Sequence, residues 1–197
     1  MIDPAVRRAA LIATCVTLPI VVIVLLVLGT PGKSTPTSAG TGKVLAPISV
    51  AAPPSNTAAD APCTSLLSDL PISIPTSNGT LGGRVVHSSS TFITAWGNPA
   101  IVLRCGVPRP AALTVNSGAF VFGIDGVNFF ESKTGAEFVY TAIDRAAYIE
   151  VSVPKSYAQP PLGPIADAIA KALPQVCVTE QTGQPTPDPA KLCTHRK

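Results

Sequence analysis

Hydrophobic and polar positions follow three different patterns along this chain. Residues 9–29, "AALIATCVTLPIVVIVLLVLG", carry no charged side chain. About 20 such residues suffice to cross a bilayer core as a helix. Residues 30–61 are rich in Pro, Ser, Thr, Ala and Gly and contain no aromatic residue. Such a stretch cannot bury a core and reads as a disordered tether with a reach of roughly 30 Å. From residue 62 to 179 apolar positions recur with the periods of strands and helices. Residues 180–197 return to a polar, proline-rich composition and read as a tail.

Within 62–179 two stretches have helical spacing. "DAPCTSLLSDLP" places Leu66, Leu67 and Leu70 on one side, with Asp60 as a cap, Pro62 in the first turn and Pro71 as the stop. Residues 164–173 form an apolar stripe of Ile165, Ile169, Ala172 and Leu173, with Asp167 and Lys171 as an i,i+4 pair. Strands are expected at 84–87, 92–96, 101–105, 119–124, 127–131, 137–143 and 146–153. Asp125-Gly126 is a strong hairpin signal, and Asp144-Arg145 reads as a second hairpin. In "AAYIEVSV" Tyr148, Glu150 and Ser152 alternate with Ile149, Val151 and Val153, the period of a strand with one buried face. "GTLGG" at 79–83 reads as a turn. The expected fold is α+β: a mostly antiparallel sheet packed with one or two helices, preceded by a single transmembrane helix and a disordered linker.

Composition narrows this picture. The chain is 46% hydrophobic and only 13% charged, with a mean hydropathy of +0.39. Soluble chains carry about a quarter charged residues, so a membrane segment is expected. Arg7 and Arg8 precede the apolar run, which places residues 1–8 in the cytoplasm and all that follows residue 29 outside. A cleaved signal is the alternative, although its apolar region spans only about 7 to 15 residues. Cys15 is followed by further apolar residues, unlike a lipid-modified cysteine that ends such a run. The net charge of +3 comes from the ends, because basic and acidic residues balance within 62–179. A neutral domain has no electrostatic footprint for a polyphosphate backbone, so nucleic acid is excluded as a partner.

Four cysteines lie beyond the apolar run: Cys63, Cys105, Cys177 and Cys193. An even number in an oxidising compartment argues for two disulfides. Three pairings are open, and Cys63–Cys105 with Cys177–Cys193 is favoured because the second needs only a local loop. Zinc ligation normally requires closer cysteine pairs than any here. Cys105 stands between Arg104 and Gly106, which invites a nucleophile reading. Arg104 points to the opposite strand face, however, and the chain's histidines are His87 and His195 alone. His87 precedes Ser88, Ser89 and Ser90 without a G-x-S-x-G elbow. No cofactor motif is present, and no catalytic or metal-binding set emerges. Asn78-Gly79-Thr80 is a glycosylation sequon, relevant only to a eukaryotic secretory route.

"AWGNPAIVLRCGVPRP" at 95–110 holds the only tryptophan and two arginines. Aromatic and arginine side chains are common binding anchors, so Trp96, Asn98, Arg104 and Arg109 are the candidate binding residues; Trp96 is equally readable as core. This run, with the preceding "CTSLLSDLP" and the following "YIEVSVP", resembles an uncharacterised actinobacterial family of membrane-anchored secreted proteins, with mycobacterial members closest. That family is catalogued as a domain of unknown function. The resemblance covers residues 61–175 and implies a single anchor, an extracytoplasmic domain and a cell-envelope location. It implies no activity. The expected function is a non-enzymatic binding or structural protein of the envelope, with an envelope protein or cell-wall component as partner. The alternative is an extracytoplasmic enzyme acting on cell-wall material through carboxylates.

Overall fold

The computed structural model describes residues 45–114, 120–181 and 184–192. These described residues all fall in one compact unit, Val44–Lys197. The expected anchor at 9–29 and Cys193 lie outside the described residues. Among the described residues, no helix is long and apolar enough to cross a membrane.

The element order is β1 (Ile48–Ser49), α1 (Asp60–Asp69), β2 (Ser73–Thr76), β3 (Gly79–Arg84), β4 (Val86–His87), β5 (Ile93–Trp96) and β6 (Ile101–Cys105). There follow β7 (Val121–Ile124), β8 (Val127–Thr134), β9 (Glu137–Ala142), β10 (Ile149–Pro154), α2 (Gly163–Ala172), β11 (Val176–Gln181) and β12 (Gln184–Leu192). An eight-stranded sheet runs in the order β2-β3-β5-β6-β10-β9-β8-β7, and each adjacent pair is antiparallel. The domain is α+β, a mostly antiparallel sheet with two helices.

The register sorts side chains onto two faces. Ile149 pairs with Cys105 and Ala142, and Val151 with Leu103 and Tyr140. These residues join Leu66 of α1 and Ile165 and Ile169 of α2 in one buried apolar cluster. On the opposite face, Glu150 pairs with Arg104 and Thr141, and Ser152 with Val102 and Val139.

A disulfide joins Cys63 on α1 to Cys105 at the end of β6. Gly106 follows at φ 81°, and a Cβ there would lie 3.2 Å from Ala59 Cβ and 3.6 Å from Cys63 Sγ. Glycine thus lets the helix approach the strand end. Cys177 is also disulfide-bonded, while its expected partner Cys193 lies outside the described residues.

Several elements depart from the sequence expectations. Residues 79–83 are strand, not turn: β2 and β3 form a hairpin closed at Ser77-Asn78. The Asp144-Arg145 hairpin is a longer link, since β9 ends at Ala142 and β10 begins at Ile149. Lys171 does not pair within its own helix; its Nζ donates to Asp69 Oδ1 of α1 at 2.6 Å. Interhelix geometry outcompetes the i,i+4 pair. Asp60 opens α1 without a side-chain capping bond. The expected polar tail contributes a strand pair, β11–β12. Residues 45–59 run along the domain: β1 pairs with β4 in parallel, and Arg84 Nε donates to Ala46 O at 2.7 Å.

Candidate functional site

The apolar face of the sheet is sealed by two helices. The other face carries a groove of about 580 Å³. Its floor comes from central strands: Arg104 of β6, Glu150 and Ser152 of β10, Glu137, Val139 and Thr141 of β9, and Ser132 of β8. One wall is Ala52-Pro53-Pro54, from the segment between β1 and α1. The other is Val107 to Ala112, the chain leaving β6. A second hollow of about 410 Å³ shares Arg104, Glu137 and Ser152 with the first.

Arg104 and Glu150 face each other across the β6–β10 ladder. Arg104 Nε donates to Glu150 Oε1 at 3.0 Å, and Nη2 reaches the same oxygen. Both side chains remain partly open, 31% and 17% exposed. Arg109 donates to Leu113 O, which folds the 107–113 segment back on itself. Leu113 is buried against Phe130 and Ile143, with Tyr148 packed alongside. Burial pushes the Tyr148 phenol above its ordinary pKa, and the nearby Arg109 charge pulls it partly back. The Tyr148 hydroxyl is buried with no hydrogen-bond partner.

Thr141 and Ser152 lie deeper. They are 1% and 7% exposed. Both line the groove, and neither hydroxyl has a hydrogen-bond partner among the described residues. The enclosed unpartnered side-chain atoms among the described residues are Arg145 Nε and the Tyr148 hydroxyl. The Thr141 and Ser152 hydroxyls instead open onto the groove, and the fold itself does not use their hydrogen-bonding capacity.

The four residues singled out by sequence separate into three places. Arg104 and Arg109 meet in the groove. Trp96 is 1% exposed on the helix-covered face, its indole Nε1 donating to Pro71 O at 2.8 Å. Its ring is a core side chain and offers no open surface. Asn98 is exposed on the β5–β6 turn, where its Oδ1 accepts from Arg84 Nη1 at 3.5 Å. Ser88 and Ser90 accept backbone N–H groups from Ser90 and Phe92, a local turn arrangement. Among the described residues, no group of three or more His, Cys, Asp or Glu could hold a metal ion.

The sequence model of a family described as "Protein of unknown function (DUF3515)" matches residues 16–178. The chain belongs to the DUF3515 family. Searches of curated proteins and of solved structures each returned no match. The DUF3515 match spans the groove's floor and both its walls.

Thr141 and Ser132 did not stand out in the sequence, and Glu137 stood only as one of several unpaired carboxylates. Glu150 and Ser152 carried a signal in the alternation of "YIEVSV", which defines a polar face. The neighbours on that face follow only from strand order, and strand order is not written in any local pattern.

Proposed function

We propose that this DUF3515 chain is a membrane-anchored extracytoplasmic domain of the cell envelope, non-enzymatic, that binds an envelope protein or cell-wall component in the sheet groove. The uncharged run at 9–29 and the preceding Arg7 and Arg8 support the anchor and its orientation. The Cys63–Cys105 disulfide supports an oxidising compartment. The resemblance of 95–110 to actinobacterial secreted proteins supports the envelope. The observation that carries the binding reading is the groove itself, whose volume of about 580 Å³ lies within the usual range of ligand sites.

In-cell photocrosslinking tests the reading. A crosslinker at Ala112 or Pro54 is expected to capture a protein or cell-wall fragment. One at Asp167, exposed on α2, serves as control. Equal capture from all three positions would overturn it.

An enzymatic reading has one observation in its favour: Glu137 and Glu150 both line the groove. Glu150 pairs with Thr141, four residues along β9 from Glu137. That places the two backbones about 13 Å apart along the strand. Catalytic carboxyl pairs in glycosidases stand about 5 to 9.5 Å apart. Arg104 moreover occupies an oxygen of Glu150. Hydrolysis of cell-wall glycan that is abolished by both Glu137→Gln and Glu150→Gln would favour the enzyme.

A further inference from the structure

We infer that the groove is a site for a neutral carbohydrate, an uncharged oligosaccharide bound through its hydroxyl groups. This deepens the binding reading above and rests on it.

Three features of the floor select the ligand. The first is charge. Arg104 and Arg109 are balanced by Glu137 and Glu150 on the same surface. Such a surface produces no net field to attract an anionic or cationic polymer. The second is the hydroxyls of Thr141 and Ser152, two residues that are 1% and 7% exposed and line the cavity, whose hydroxyls have no partner among the described residues. A hydroxyl donates once and accepts twice. Its best complement is a ligand that does the same, and a saccharide hydroxyl does. The third is the backbone. The floor strands β6, β10, β9 and β8 are each paired on both sides. They present no free N–H or C=O row, so strand addition by an extended peptide is closed to them.

The Arg104–Glu150 pair fits the same ligand. A guanidinium beside a carboxylate offers donors next to acceptors, which matches the adjacent hydroxyls of a hexose. The prolines of the two walls, Pro53, Pro54, Pro108 and Pro110, supply flat C–H surfaces for the apolar faces of sugar rings.

The test uses the full chain in detergent micelles and calorimetric titration. The probes are an uncharged hexose tetrasaccharide, its N-acetylated counterpart, a uronic-acid tetrasaccharide and an uncharged proline-rich decapeptide. At least one uncharged saccharide is expected to bind with Kd below about 1 mM, with the acidic saccharide and the peptide weaker by about tenfold or more. Thr141→Val and Ser152→Ala are each expected to weaken saccharide binding about tenfold. Neither should lower the thermal midpoint, because the lost hydroxyls satisfy nothing in the unliganded fold. A purely structural role would give the reverse: a lowered midpoint with affinity kept. Unchanged affinity in Ser152→Ala and Thr141→Val, preference for the acidic saccharide or the peptide, or no saccharide binding at all would overturn the inference. Groove-specific protein capture in cells with no saccharide binding would sink this inference while leaving the binding reading intact.

Discussion

The two faces of the central sheet each bury side chains, by opposite means. Strand β10 shows this in consecutive residues. Val151 is 0% exposed and packs among apolar side chains beneath the helices. Ser152, the next residue, is 7% exposed, yet it lies under a proline-walled groove and its hydroxyl bonds to none of the described residues. Low exposure on the first face reflects dense apolar contact, the usual source of fold stability. On the second it reflects the shape of a hollow. The same degree of burial therefore carries stability on one side and unspent hydrogen-bonding capacity on the other.

Substitutions can break or sharpen this contrast. The largest effect is expected at the helix-covered face. Replacing both Cys63 and Cys105 by serine opens a loop with a sequence separation of 42. This should cost about 4 kcal/mol in denaturant unfolding. An oxidised wild type no more stable than the double variant would contradict it. Next comes Ile149→Ala, at a residue 0% exposed in the main cluster. The expected loss is about 3 kcal/mol, measured by urea titration. A loss under about 1 kcal/mol would mean that this face is not the stabilising one.

A smaller effect is expected where the chain crosses toward the groove wall. Arg84 donates to Ala46 O and Gly97 O, pinning the segment that leads to Pro53 and Pro54. Arg84→Met should cost about 1 kcal/mol and speed proteolytic cleavage near residues 45–52. Unaltered cleavage would show that the pairing of β1 with β4 suffices alone.

The smallest effect is a pH dependence. Burial raises the phenol pKa of Tyr140, with the Glu131 charge adding to it, and burial also raises those of Tyr148 and Tyr157. The folded state thus holds these protons more tightly than the unfolded one. Their contribution is complete below the unfolded value of about 10 and declines as pH rises through it toward the folded values. Tyr148→Phe should soften the alkaline loss without harming stability at neutral pH, since its hydroxyl has no partner. An unchanged alkaline transition would rule out a contribution from Tyr148.

Elements with strong periodicity were legible from sequence. β6 occupies Ile101–Cys105 as the "IVLRC" run indicates, and α2 begins at Gly163 with Pro164 in its first turn. The Asp125-Gly126 hairpin is also present, with both residues at positive φ. The β2–β3 hairpin was not legible, because Pro75, Gly79, Gly82 and Gly83 remove the apolar alternation that identifies strands. Asn78-Gly79 was the available signal. Of the candidate site, the two arginines and the polar face of β10 with Glu150 and Ser152 were legible. Thr141 and Ser132 reach the groove through the placement of β10 between β6 and β9. That is a long-range pairing with no local sequence mark.

The Asp144-Arg145 link has a consequence for motion. The pair is buried, 1% and 2% exposed, with Arg145 Nη1 2.9 Å from Asp144 Oδ1. Arg145 Nη2 also donates to Gly126 O. Asp144 accepts the Asn128 N–H on its carboxylate and the Val176 N–H on its backbone oxygen. These two amides are distant in sequence but share one acceptor residue. Displacing Asp144 exposes both, so they should exchange with deuterium at matching rates, as one opening unit joining the β7–β8 turn to the chain beyond α2.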